Sequence, residues 1–186
     1  MTSVVFLRGV NVGGTRVLQP SQLTKELAHL GVINVGAAGT FVVRSGGSHE
    51  RLRTEFLHRL KFPAEMMICR GSDLTRLVAE EPFPALDWEG DVRRFLSILS
   101  RPPRLRPELP LEVPPGESWQ VRFIQISGRF ALAWWRRLGR SFLDPNSVAE
   151  RRFGVAATTR NWNTIVRIAA VLNRLKHEAD TKAVGH

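Results

Sequence analysis

Val32-Ile33-Asn34-Val35-Gly36-Ala37-Ala38-Gly39-Thr40-Phe41-Val42-Val43 is the stretch on which the fold turns. Its β-branched and aromatic residues gather at the two ends, with glycines between them. That pattern predicts a short strand near 32–35 and another at Phe41-Val42-Val43. On the N-terminal side a helix starts near Pro20, a first-turn proline. It places Leu23, Leu27 and Leu30 on one face before Gly31 stops it. On the C-terminal side Ser48 caps a helix whose face is Leu52, Phe56 and Leu60, ended by Pro63. Farther out, Val4-Val5-Phe6-Leu7 and Met66-Met67-Ile68-Cys69 read as strands. The resulting order, β-α-β-β-α-β, is the ferredoxin-like one.

Beyond residue 70 the pattern changes. Ser72 caps a short helix carrying Leu74, Leu77 and Val78, broken by Pro82 and Pro84. Phe95-Leu96-Ser97-Ile98-Leu99 predicts a strand. Residues 101–118 hold six of the eleven prolines and predict an extended connection without a packed interior. Trp119, Val121 and Phe123 alternate with Gln120 and Arg122. Ser127-Gly128-Arg129 can then turn that strand into Phe130-Ala131-Leu132-Ala133-Trp134-Trp135, a hairpin. Asp144-Pro145 opens a helix closed by Gly154, with Ser147 and Glu150 at capping-box spacing as the alternative start. The last helix is expected from about 160 to 176. The fold class is α+β in two α/β subdomains, the first ferredoxin-like and the second a small antiparallel sheet with helices. The expected division is 1–81, a strand and proline-rich connection over 82–118, and a basic subdomain over 119–186.

The chain has 186 residues, 43% of them hydrophobic and 24% charged, enough for a substantial core. No run of 18 apolar residues occurs, so no membrane partner is expected, and the N-terminus lacks the pattern of a signal peptide. A single cysteine, Cys69, excludes an internal disulfide framework and predicts a reducing, cytoplasmic setting. The formal net charge is +10, and 23 of the 27 basic residues are arginine. Residues 1–93 carry 11 basic and 10 acidic side chains, whereas residues 94–186 carry 16 and 7. The excess belongs to the C-terminal half and calls for an anionic partner. Arginine suits phosphate in particular, through its planar, permanently charged fork.

Three segments could carry chemistry. Arg8-Gly9-Val10-Asn11-Val12-Gly13-Gly14 follows the first strand with glycines where a phosphate loop has them, although the spacing fits neither common phosphate motif. The plain alternative is a strand end and turn. Arg136-Arg137-Leu138-Gly139-Arg140-Ser141 follows Trp134-Trp135, and arginines beside aromatics can stack bases and neutralise phosphates. Ala156-Ala157-Thr158-Thr159-Arg160-Asn161-Trp162-Asn163-Thr164 opens the last helix, where Thr158 or Thr159 can cap and exposed N–H groups favour an anion. Arg160, Arg167 and Arg174 recur every seven residues on one stripe of that helix, with Asn163 beside it. The anion-binding candidates are therefore Arg8, Asn11, Gly13, Arg140, Ser141, Thr158, Thr159, Arg160, Asn161, Asn163, Arg167 and Arg174. The five histidines offer no ligand frame, so no metal or other cofactor is expected. No catalytic constellation stands out.

Leu7-Arg8-Gly9-Val10-Asn11-Val12-Gly13-Gly14, Gly139-Arg140-Ser141 and the long block from Ala156 to Thr164 together resemble the bacterial family catalogued as domain of unknown function 1697. The resemblance extends over nearly the whole chain. It implies a two-subdomain α+β fold and a map of positions without a mechanism. One block departs: members commonly carry Gln-Ser-Gly-Asn where this chain has Ala37-Ala38-Gly39-Thr40. The leading functional expectation is a polyanion-binding protein, with nucleic acid or another phosphate-bearing ligand as partner. The alternatives are an enzyme for a small phosphorylated or nucleotide-like substrate, and a subunit docking an acidic protein.

Overall fold

The computed structural model of the chain describes residues 1–10, 17–45, 47–85, 91–140 and 142–184. The backbone divides into two compact units, residues 1–81 with 164–186, and residues 82–163.

The first unit begins β1 (Ser3–Leu7), α1 (Pro20–Glu26), β2 (Val32–Asn34), β3 (Thr40–Val43), α2 (His49–Arg59), β4 (Met66–Arg70) and α3 (Gly71–Ala79). Its sheet has the order β2-β3-β1-β4 with every neighbouring pair antiparallel. This is the ferredoxin-like topology that the order of elements requires: each helix carries the chain past a strand that later, or already, fills the gap. Val5, Leu7, Phe41, Val43 and Ile68 of the sheet pack with Leu23, Leu27, Leu52 and Phe56 of the helical segments. The Phe41 and Phe56 rings meet edge-on at 5.6 Å. Burying side chains of this kind contributes about 1.5–3 kcal/mol each.

Two helix boundaries differ from expectation. The helix begun at Pro20 ends at Glu26, and Ala28–Leu30 form a 3-10 turn closed by Gly31 at φ +63. The tighter turn still buries Leu27 and Leu30, so the apolar face survives. The next correction concerns Ser72, which lies within the first turn of α3; Arg70 is the N-cap residue. Gly71 N–H donates to Thr2 O at 2.9 Å, which starts the helix directly at the end of β4.

The second unit contains β5 (Val92–Leu99), β6 (Leu111–Val113), β7 (Val121–Ser127), β8 (Phe130–Arg136), α4 (Pro145–Phe153) and β9 (Ala157–Asn161). These strands form one antiparallel sheet in the order β6-β7-β8-β5-β9. The β7–β8 hairpin forms as expected, with a register shift between Phe123 and Gln125 that brings Ile126 onto the face of Phe123. Val121, Phe123, Ala131, Ala133 and Trp135 pack with Val148, Ala149 and Phe153 of α4. Asp144 caps α4 by accepting from the N–H groups of Asn146 and Ser147, and Gly154 ends it at φ +66.

Three expectations for this half are corrected. The proline-rich connection holds a strand: β6 pairs with β7, half-buried, between Pro110 and Pro114. An edge strand tolerates flanking prolines because its outer N–H groups have no ladder to join. The last helix begins close to the expected 160, but an unforeseen strand precedes it and it runs past the expected end near 176. Residues 157–161 are β9, and α5 (Trp162–Val184) follows. From Thr164 onward that helix belongs to the first unit and not to the second subdomain. Its buried face is Ile165, Ile168, Ala169, Leu172 and Leu175. Leu172 Cδ2 lies 2.7 Å from where a Cβ on Gly71 would sit, so a larger residue there would have to displace the Leu172 side chain of α5. Among the described residues, no helix is long and apolar enough to cross a membrane.

Candidate functional site

The closing motif is placed by strand pairing. Leu96 faces Arg160, Ser97 faces Thr159 and Ile98 faces Thr158 across β5 and β9. Two threonines in succession favour extended backbone, and the open edge of β5 supplies the ladder. Ser97 Oγ and Thr159 Oγ1 are 2.8 Å apart, and Thr159 Oγ1 donates to Asn146 Oδ1 at 3.3 Å. Arg160 is only 8% exposed; its Nη1 donates to Thr158 Oγ1 at 2.7 Å and to Thr159 O at 2.9 Å. Burial pushes its pKa down to about 10, so the guanidinium stays charged at neutral pH. Asn161 Oδ1 accepts from Asn163 N–H at 2.9 Å, which makes Asn161 the side chain that serves the start of α5. Thr158, Thr159 and Arg160 thus lie within a sheet and not at an open helix terminus. The stripe expected from Arg160 through Arg174 loses its first member for the same reason. Arg167 and Arg174 remain exposed on α5, with Arg174 Nε 3.9 Å from Glu178.

The N-terminal motif is tied into the first unit. Arg8 Nη1 donates to Glu65 Oε2 at 2.8 Å, and its backbone N–H donates to Glu65 O at 2.9 Å. Asn11 and Gly13 lie outside the described residues. The departing block 37–40 sits against this motif, with Leu7 N–H donating to Gly39 O at 2.7 Å. Arg167 Nη2 lies 3.9 Å from where a Cβ on Gly36 would be, so one arginine of the stripe reaches the same turn. The structure therefore brings Arg8, the 36–39 turn and Arg167 into one unit, while Arg140 and residues 156–163 of the closing motif belong to the other.

In the Arg136–Arg140 segment, the two kinds of arginine separate. Arg136 is buried; its Nε donates to Trp119 O at 2.5 Å and its Nη2 to Glu117 O. Its guanidinium carbon and that of Arg122 lie 4.1 and 4.3 Å from the Trp119 ring centroid. Burial, and secondarily the charge of Arg122, hold the Arg136 pKa below its ordinary value. Arg137 and Arg140 are exposed, and Ser141 lies outside the described residues. Trp134 and Trp135 are both buried, at 9% and 6% exposure, so neither offers a free face for a base.

A further group of arginines gathers at the other end of the second sheet, and sequence reasoning missed it. Leu99 N–H donates to Arg129 O, and Ser100 N–H donates to Ala156 O, both at 2.8 Å. Arg129 Nη1 donates to Ser100 O at 3.2 Å. The N–H groups of Arg104 and Leu105 both donate to Phe153 O, at 2.9 and 3.2 Å. These bonds fold the 100–106 segment onto the C-terminal end of α4. Arg101, Arg104, Arg106, Arg129, Arg151 and Arg152 thereby come from three chain segments to one end of the unit. Arg101, Arg104, Arg106, Arg151 and Arg152 are exposed, and none of the five pairs with a carboxylate among the described residues. Arg151 and Arg152 also sit where the α4 dipole favours cations. The available signal was Arg101-Pro102-Pro103-Arg104-Leu105-Arg106, whose prolines drew the reading toward a bare connection.

A ferredoxin-like unit and a five-stranded antiparallel sheet define the class of the protein. The chain belongs to the family described as "Protein of unknown function (DUF1697)", whose model matches residues 1–118. That match stops before Gly139-Arg140-Ser141 and the closing motif, so those blocks fall outside the matched span. The fold is similar to that of the conserved bacterial protein SP0830 from Streptococcus pneumoniae, at a TM-score of 0.56 and 19% identity. The likeness covers 92% of this chain and 98% of that one and speaks for the fold. No match is found among curated proteins.

Proposed function

We propose that this protein is a cytoplasmic polyanion-binding protein whose phosphate-bearing ligand is held by the arginine cluster at the C-terminal end of α4. The observation that carries the reading is the convergence of Arg101, Arg104, Arg106, Arg151 and Arg152, exposed and without carboxylate partners among the described residues. A solvated charged surface ordinarily mixes both signs. Here the backbone bonds from Arg104 and Leu105 to Phe153 hold separate basic segments side by side.

The test is affinity for inorganic polyphosphate and for a single-stranded oligonucleotide as a function of salt. Binding should fall steeply with salt, because each neutralised phosphate releases condensed counterions. Replacing Arg104, Arg106, Arg151 and Arg152 together by glutamine should lower the log–log salt slope for the oligonucleotide by about 3, at roughly 0.7 per contact. The thermal midpoint should barely move, since exposed side chains contribute little to folding. An unchanged slope and affinity in that variant would refute the assignment.

A further inference from the structure

Phe142 is 60% exposed, a large aromatic side chain left in water just after the Arg137–Arg140 segment. Isolated exposed apolar residues are common and by themselves mean little. This one is held. The next residue, Leu143, donates its N–H to Gln120 Oε1 at 3.1 Å and accepts from Trp135 Nε1 at 2.9 Å. Both of those partner side chains are buried, so the backbone carrying the ring is pinned to the interior. The Phe142 ring then meets the Trp135 ring edge-on, at 5.6 Å and 63°. An edge-on contact covers at most one face of the Phe142 ring and leaves the other to solvent, in keeping with its exposure.

The surroundings are cationic. The Arg93 guanidinium lies 5.9 Å from the Trp135 centroid, and it pairs with Asp91 at 2.8 Å, which offsets its charge. Arg137 and Arg140 are exposed and pair with no carboxylate among the described residues. An exposed aromatic ring on a backbone pinned to the interior, within five residues of two exposed arginines that pair with no carboxylate among the described residues, matches an unpaired nucleobase flanked by phosphates. An acidic peptide would use the charges but has no need of the ring. Double-stranded nucleic acid would use the charges while keeping its bases stacked on one another.

From this geometry we infer that Phe142 is a base-stacking platform for single-stranded nucleic acid, with Arg137 and Arg140 contacting the adjacent phosphates. The inference rests on the polyanion reading and narrows it to one class of ligand. The arginine cluster and Phe142 lie at opposite ends of β8, a seven-residue strand that spans roughly 20 Å. Site sizes of about 4–16 nucleotides, usual for single-strand binders, reach across such a span.

The experiment compares wild type, Phe142→Leu and Phe142→Trp by fluorescence anisotropy at low salt. The probes are a labelled oligothymidylate of about 12 nucleotides and inorganic polyphosphate. Leucine keeps apolar bulk and removes the π face, so oligothymidylate affinity should fall roughly tenfold, within the range of one lost base–aromatic stack. Tryptophan should retain the affinity, and its added emission should be quenched when the oligonucleotide binds. Polyphosphate binding and the thermal midpoint should be the same in all three proteins. Equal oligothymidylate affinity in wild type and Phe142→Leu, or an equal loss on polyphosphate, overturns the inference. If wild type binds polyphosphate and no oligonucleotide, stacking falls and the polyanion reading stands; if it binds neither, both fall.

Discussion

Gly39 offers a direct measure of how firmly the N-terminal motif is held. It lies in the turn that meets the N-terminal motif, and it has φ +66. A Cβ added there would sit 2.6 Å from Val10 Cγ2 and 2.9 Å from Leu7 Cβ. Leu7 belongs to β1 and both residues are buried, so neither can yield easily. Gly39→Ala should therefore cost about 1–2 kcal/mol for the left-handed backbone and about 1–3 kcal/mol for overpacking. Gly128→Ala separates the two contributions. Gly128 has φ +58 and nothing within 4 Å of its Cβ position, so that variant carries the backbone cost alone. Urea denaturation followed by far-ultraviolet circular dichroism reads both. In a chain of this length each kcal/mol moves the thermal midpoint by about 2–4 °C, which gives an independent check. If Gly39→Ala costs no more than Gly128→Ala, the turn gives way, and the close approach to Leu7 and Val10 does not constrain the motif.

Three further outcomes follow from the closing motif. Arg160→Gln should lower stability by about 1–3 kcal/mol while leaving the increment added by sulfate in a thermal-shift assay intact, because the lost bonds lie inside β9. Loss of the sulfate increment at normal stability would instead put an anion on Arg160. The pH dependence has a fixed sign: burial lowers the folded pKa of Arg160 to about 10, so above that pH the unfolded chain binds more protons. Relative to Arg160→Met, wild type should gain about 1 kcal/mol between pH 9 and 11 in urea titrations, and a loss would contradict the burial. Ser97→Ala should cost about 1 kcal/mol by removing a hydroxyl partner of Thr159, and Thr159→Val added to it should cost less than it does alone in a double-mutant cycle.

The elements that were legible in the sequence are those whose evidence is local. Pro20, Gly31, Ser48 and Pro63 punctuate apolar runs of helical or strand length, so the β-α-β-β-α-β order could be read directly. What was not legible depends on distant partners. Thr158-Thr159-Arg160-Asn161 precedes a helical period and looks like its cap. Only the vacant edge of β5, some sixty residues earlier, makes it a strand. Leu111–Val113 forms a strand because β7 is there to pair with it. The aromatic reading moved for a related reason: alternation predicts one outward tryptophan of Trp134-Trp135, yet every residue of β8 is buried. Among the described residues the exposed aromatic ring is Phe142, in a segment with no periodicity to mark it. Likewise the arginines at 101–106, 129 and 151–152 become one surface only through the bonds to Phe153 and Ser100.

Whether that surface implies a partner depends on what its charges cost and what opposes them. Two guanidiniums about 10 Å apart in water repel by about 0.4 kcal/mol, and physiological salt reduces this to about 0.1. Even six such groups would cost the fold only about 1–2 kcal/mol, partly offset by the α4 dipole. The cluster can therefore persist without a ligand, and stability is no argument either way. A compositional bias toward arginine would also place basic residues there. Such a bias acts on both units alike, and pairing occurs in both: Arg8 meets Glu65, Arg59 meets Glu55 and Arg44 meets Glu178 in the first, and Arg93 meets Asp91 and Arg122 meets Glu112 in the second. Between residues 119 and 176 the acids number only two, Asp144 and Glu150, against 11 basic residues. Both acids are engaged with backbone. Asp144 caps α4, and Glu150 Oε1 accepts from Ala157 N–H at 3.0 Å. The two acids of that stretch are thus held by the fold, and the five exposed arginines near the end of α4 pair with no carboxylate among the described residues. A phosphate chain approaching the end of α4 would meet exposed guanidiniums that no carboxylate among the described residues occupies, which is the condition under which counterion release favours binding.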